Sequence, residues 1–183
     1  MKKVVSLVAL VLISGVLFAL EVGGVKLPDT VTVDGKALKL NGAGIRKKVI
    51  VKVYVAAFYV ETPSKDAAAL VSSTQIKSMR LHMLRSVEGP KISGAIVEGF
   101  ENNSASAMPQ LKPRLDQLAK LIPDVKEGDE IALTWVPDKG TQVSVRGTAT
   151  GTIEGRDFAD ALFSVWLGPS PVQADLKQAL TGG

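Results

Sequence analysis

The sequence predicts an α+β domain in which long antiparallel strands bury one face under a layer of helices. Three observations carry that expectation. A β-prone run rich in valine, isoleucine and aromatic residues fills positions 45–60. Two helical stripes then place apolar residues three and four apart: Ile92, Ala95, Ile96, Gly99 and Phe100, followed by Met108, Leu111, Leu115, Leu118 and Ile122. Finally, strand signals resume at residue 130 and a last helical stripe follows them.

A segment of another kind precedes the domain. Lys2 and Lys3 stand before an apolar run from Val4 to Phe18, interrupted only by Ser6, Ser14 and Gly15 and followed by the small residue Ala19. This pattern predicts a cleavable signal peptide over residues 1–19. The run is shorter than the roughly 20 apolar residues that span a bilayer comfortably. Cutting after Ala19 leaves residues 20–183 as one domain of 164 residues, enough for a sizeable core. The expectation is a soluble mature domain in the periplasm. With zero cysteines the domain must be held by that core alone. Losing the two lysines lowers the formal net charge from +4 to +2, too weak an excess to suggest a nucleic-acid partner.

Residues 25–40 alternate modestly, and Asp34-Gly35 within them is a short-hairpin signal. Asn41-Gly42-Ala43-Gly44 leads into the run 45–60. Its odd positions from Val49 to Tyr59 are apolar and make the better core face, while Arg46, Lys48, Lys52 and Tyr54 share the even phase. Thr62-Pro63-Ser64 breaks the run, and residues 64–71 read as a short helix capped by Thr62 or Ser64. A strand over 75–87 follows. Pro109 suits a first helical turn, but Pro113 should kink that helix or mark its true start. Strands at 130–136 and 141–146 are joined by Pro137-Asp138-Lys139-Gly140, with a third over 148–154. Phe158, Ala161, Leu162, Val165 and Trp166 form one helical stripe, and Ser170-Pro171 opens a last helix that ends before Gly182.

Absences narrow the chemistry. His82 is the single histidine, so multi-histidine and cysteine-rich metal sites are excluded, and no calcium or magnesium loop pattern occurs. A catalytic triad would have to use His82, which lies on a strand in phase with Ser78 and Arg80 and reads as structural or solvent-facing. No Walker or dinucleotide glycine pattern is present, and no metal or cofactor is expected. Gly42-Ala43-Gly44 reads as a turn or a close-packing point. Arg46 offers a permanent charge and a fixed fork of donors, suited to a carboxylate or a developing oxyanion. The alternative is a solvated basic turn shared with Lys47 and Lys48.

Gly42-Ala43-Gly44-Ile45-Arg46, then Lys52-Val53-Tyr54-Val55-Ala56-Ala57-Phe58-Tyr59-Val60-Glu61, resembles the chalcone isomerase-like family. Met83-Leu84-Arg85-Ser86-Val87 and Ala161-Leu162-Phe163-Ser164-Val165-Trp166-Leu167-Gly168 agree in order and spacing, the latter with the small exported bacterial branch. The resemblance covers residues 24–181. It implies an open-faced β-sandwich, with a ligand cleft between a large antiparallel sheet and helices over one face. The family holds plant enzymes that close chalcones to flavanones, and non-catalytic relatives that bind fatty acids. Arg46 matches the family's glycine-motif arginine, which polarises the substrate carbonyl in enzymes and meets the carboxylate in lipid binders. Tyr54 falls where plant enzymes carry threonine and lipid binders carry tyrosine. Residues 88–93 lack the enzymes' tyrosine, Glu98 stands near their asparagine, and Ser164 matches a late serine or threonine only approximately.

One geometric condition follows. In a single straight strand, eight residues at about 3.4 Å each would hold Arg46 and Tyr54 roughly 27 Å apart. Both serve one ligand only if the chain reverses near residues 47–49, as the resemblance implies. The leading expectation is an exported, cofactor-free binding protein for a small amphipathic acid such as a fatty acid, held by Arg46 and Tyr54. An intramolecular lyase or isomerase, and a structural or interaction domain with a vestigial cleft, are its rivals.

Overall fold

The computed structural model describes residues 19–183; the expected leader lies outside them except for Ala19. Seven antiparallel strands form one curled sheet in sequence order: β3 (Thr30–Val33), β4 (Lys36–Lys48), β5 (Val51–Val60), β6 (Lys77–Met83), β7 (Glu130–Val136), β8 (Gly140–Val145) and β9 (Thr148–Ile153). A two-stranded hairpin, β1 (Ala19–Val22) and β2 (Val25–Pro28), stands apart from it. The described residues also form five α-helices: α1 (Ala67–Ser72), α2 (Gly89–Ser104), α3 (Met108–Leu121), α4 (Arg156–Leu167) and α5 (Ala174–Leu180). The α+β class and the helix-covered antiparallel sheet agree with the sequence. None of the described helices is long and apolar enough to cross a membrane.

The run 45–60 is two strands and not one. Lys48 pairs with Val51 across a two-residue loop, so the chain reverses at Val49 and Ile50. Val49 holds φ 58°, a region where a β-branched residue is an outlier costing about 1–3 kcal/mol. The expected core face also needs correction. Even positions Ala56, Phe58 and Val60 face the main core, whereas odd positions Val55, Ala57 and Tyr59 join a smaller cluster with Leu27 of β2 and Leu38 of β4. Both faces of β5 are covered, so its odd–even contrast carried no information about which layer lies where. Helices pack on the even face, where Phe58 and Phe163 bring their rings to 5.8 Å. Burying each such ring stabilises the fold by about 2–3 kcal/mol.

Other boundaries move for local reasons. Helix α1 starts at Ala67 because Asp66, and neither Thr62 nor Ser64, accepts the Ala69 amide. Helix α3 begins at Met108 and carries Pro113 inside it, one turn after Pro109. Strand β6 ends at Met83, short of Val87, which makes an isolated bridge to Val125. The last helix opens at Ala174 and not at Ser170-Pro171. Asp34 and Gly35 do form the β3–β4 turn, with φ of 51° and 77°. Gly42 is no turn residue; it lies within β4 because a Cβ there would sit 2.1 Å from the Ala179 carbonyl oxygen. Its missing side chain lets α5 lie directly on the strand.

Candidate functional site: a cleft between sheet and helices

The hairpin reversal has a direct effect on the site. Arg46 on β4 and Tyr54 on β5 are cross-strand partners, and paired residues of antiparallel strands project to the same face, about 5 Å apart. A register irregularity between Arg46 and Lys47 marks a bulge, which bends the strand end and re-aims its side chains. Arg46 and Tyr54 line one cavity of about 1020 Å³. Leu81 and Met83 of β6 extend its floor, and Ile92 and Ile96 of α2 with Val165 and Trp166 of α4 form the opposite wall. Lys48, Arg85, Lys91 and Lys126 stand at its edge together with Glu88, Glu98 and Asp124. The interior around Arg46 is therefore open.

Each polar group in the cleft is held from a distant part of the chain. Trp166 donates its indole N–H to the Tyr54 hydroxyl oxygen at 3.0 Å. No acceptor for the tyrosine's own proton lies among the described residues, so that donor faces the cleft. Burial raises the Tyr54 pKa, outweighing the Trp166 hydrogen bond and the Arg46 charge, which both lower it. The phenol is thus neutral at physiological pH and acts as a donor. Arg46 Nη1 donates to Gln173 Oε1 at 3.1 Å and to the Lys47 carbonyl at 2.5 Å. Gln173 also accepts from the Lys47 amide at 2.8 Å and donates to the Ile45 carbonyl at 3.2 Å. It bolts the end of β4 to the start of α5. Among the described residues no carboxylate lies within ion-pair distance of Arg46.

Several polar candidates are elsewhere or already engaged. His82 lies on the opposite face of the sheet, paired with Val55 and 3.2 Å from Glu130 Oε2. Burial lowers its pKa, with Glu130 opposing and Arg80 assisting. Ser164 donates to the Asp160 carbonyl at 2.7 Å on its own helix and does not line the cleft. Asp124 accepts the Gly89 amide at 2.8 Å and so caps α2. Glu98 does line the cavity. Trp166 and Gln173 were not singled out as site residues from the sequence. A buried indole N–H needs an acceptor, but nothing in the sequence ties residue 166 to residue 54.

Among the described residues no group of three or more histidine, cysteine, aspartate or glutamate side chains is arranged to hold a metal. An arginine with unused donors, a neutral phenol and a large apolar wall together suit a molecule with one anionic end and a hydrophobic body.

Comparison with known proteins fits this arrangement. The fold matches a crystal structure of an Arabidopsis thaliana fatty-acid binding protein at a TM-score of 0.69, with 14% identity, over 86% of this chain and 92% of the other. At that identity the likeness is one of fold. No curated protein matches the chain in sequence. The family model described as chalcone isomerase-like matches residues 19–182, nearly everything the structure describes, and the chain belongs to the chalcone isomerase-like family.

Proposed function

We propose that this protein is an exported, cofactor-free binding protein for a small amphipathic acid, and that a fatty acid is the natural class of ligand. One observation supports this above the rest: Arg46, without a carboxylate of its own, stands beside the Tyr54 hydroxyl in an apolar cleft. Its volume, about 1020 Å³, is at the upper end of the ~300–1,000 Å³ usual for small-molecule sites. The carboxylate would accept from the Arg46 guanidinium and the Tyr54 O–H, with the chain lying between Met83 and the α2–α4 wall. Export follows from the reading of residues 1–19 as a leader and is part of the proposal.

Purified wild-type protein, extracted with denaturing solvent, should release a long-chain acid detectable by mass spectrometry. Arg46→Ala should release far less, and titration with a fatty acid should show saturable binding to wild type that is about thirtyfold weaker in the variant. An empty extract from wild type together with no saturable binding would overturn the proposal.

A further inference from the structure

The tip of the β4–β5 hairpin is built against its surroundings. Val49 is 91% exposed and Ile50 is 87% exposed, far beyond Leu20 and Val51 at 45% and 39%. Two-residue hairpin loops with a positive φ at the first central position favour glycine there. Here Val49 occupies that position at φ 58°. In water the tip gains nothing from this choice, since neither side chain is covered. It gains if the tip enters an apolar phase.

The surroundings of the tip specify that phase further. Lys47 and Lys52 are cross-strand partners, and Lys48 pairs with Val51. Like charges placed opposite each other repel, so the pairing itself costs the fold stability. Asp175 lies near Lys47; a Gln173 hydrogen bond chiefly lowers that carboxyl's pKa, with Lys47 a smaller contributor. Otherwise the two strand ends form a basic collar around an apolar point. Lys48 and Val51 also line the cleft, where Arg85, Lys91 and Lys126 alternate with Glu88, Glu98 and Asp124, so the uniformly basic surface is confined to the hairpin. A specific protein interface needs about 800 Å² per partner, far more than two side chains at a point present. An anionic bilayer asks for just this pattern: a few apolar groups at the acyl boundary and lysines among the headgroups.

We propose that the β4–β5 hairpin tip is a membrane-docking point. Val49 and Ile50 enter the acyl boundary of a bilayer while Lys47, Lys48 and Lys52 meet anionic headgroups. Docking in this way sets the cleft mouth against the lipid surface, so that an amphipathic acid passes into the cleft without crossing bulk water. That passage rests on the fatty-acid reading above; the docking itself does not.

The test is co-sedimentation of the protein, in the form its producing cell delivers, with phosphatidylcholine vesicles lacking or containing about one quarter phosphatidylglycerol. Wild type should partition at least about tenfold more strongly onto the anionic vesicles and lose that preference at high salt. Val49→Gly combined with Ile50→Ser should lower partitioning about tenfold or more. Because glycine suits the local φ, this variant should unfold thermally no earlier than wild type. Lys47→Glu combined with Lys52→Glu should also lower partitioning about tenfold or more and flatten the salt dependence.

Equal partitioning of wild type onto neutral and anionic vesicles would overturn the docking proposal, as would a tip variant that partitions like wild type. Binding of a fluorescent fatty acid in vesicle-free buffer separates the two readings. Tip-dependent docking without fatty-acid binding removes only the ligand assignment. Fatty-acid binding without docking removes only the membrane surface.

Discussion

Two cations under the same helical layer behave in opposite ways. At one end of the sheet Lys77 is fully buried. Its ammonium donates to the carbonyls of Leu70, Val71 and Ser73, which finish α1. It also lies 3.5 Å from Asp160 Oδ1 and 5.2 Å from the centre of the Phe163 ring. At the other end Arg46 is half-buried, held by one glutamine and one backbone carbonyl, beside a cavity and with no carboxylate partner among the described residues. The fold surrounds the first charge with partners, though burial still costs it, and leaves the second with donors to spare. A buried charge is thus a poor marker of function until its partners are counted. The informative charge is the one whose protein partners run out.

Four variants probe that contrast, from the largest expected effect to the smallest. Lys77→Met removes the ammonium and leaves three carbonyls and Asp160 without it; unfolding in denaturant should show a loss of about 3 kcal/mol, with fatty-acid affinity unchanged. The wild-type lysine should also reveal itself through pH. Burial lowers its pKa from 10.5 to about 8, partly offset by Asp160. Between pH 8 and 10.5 the unfolded chain therefore holds more protons at this site than the folded one, so stability from this group rises with pH. The stability gap between wild type and Lys77→Met should widen across that window by about 2–3 kcal/mol. A gap that narrows there would mean the ammonium form is the one the fold prefers.

Arg46→Ala should do the reverse of Lys77→Met. Affinity for a fatty acid, followed by calorimetry, should fall by about 2 kcal/mol or some thirtyfold, while the unfolding midpoint stays near wild type. Tyr54→Phe removes one neutral donor and should weaken binding by about 1 kcal/mol. Trp166→Phe withdraws only the indole N–H that orients Tyr54; its effect on affinity should be smallest, about 0.5 kcal/mol. An effect of Trp166→Phe as large as that of Arg46→Ala would place the tryptophan in direct contact with the ligand.

Much of the fold was legible because periodicity reports burial. The stripes on α2, α3 and α4 pointed to buried side chains such as Ile96, Phe100, Leu111, Leu118, Phe158 and Trp166, and Asp34-Gly35 marked its turn by backbone chemistry. The Val49–Ile50 reversal was not legible from composition, since its residues favour strands and only the family resemblance implied a turn there. The covered face of β5 was misjudged because both faces are buried. Arg46 and Tyr54 stood out through the resemblance, and the structure brings them together as strand partners. Gln173 and Trp166 stayed hidden because their bonds span 127 and 112 residues. Spacing along a chain carries no signal for such pairs.

Gln173 gives the site a timetable. The cleft's charged end is complete only when the start of α5 has docked on β4, and α5 follows every strand of the sheet in the chain. A chain stalled before residue 173 would have its sheet and most of its core, yet Arg46 would lack its brace. On the proposed binding role, ligand capture belongs to the state in which α5 has docked and not to an earlier folding precursor. A ligand that binds only the completed state stabilises that state by mass action, by about 2.7 kcal/mol at a hundred times its dissociation constant. Occupancy would then act as a seal on folding, closing the last helix over the first strands it touches.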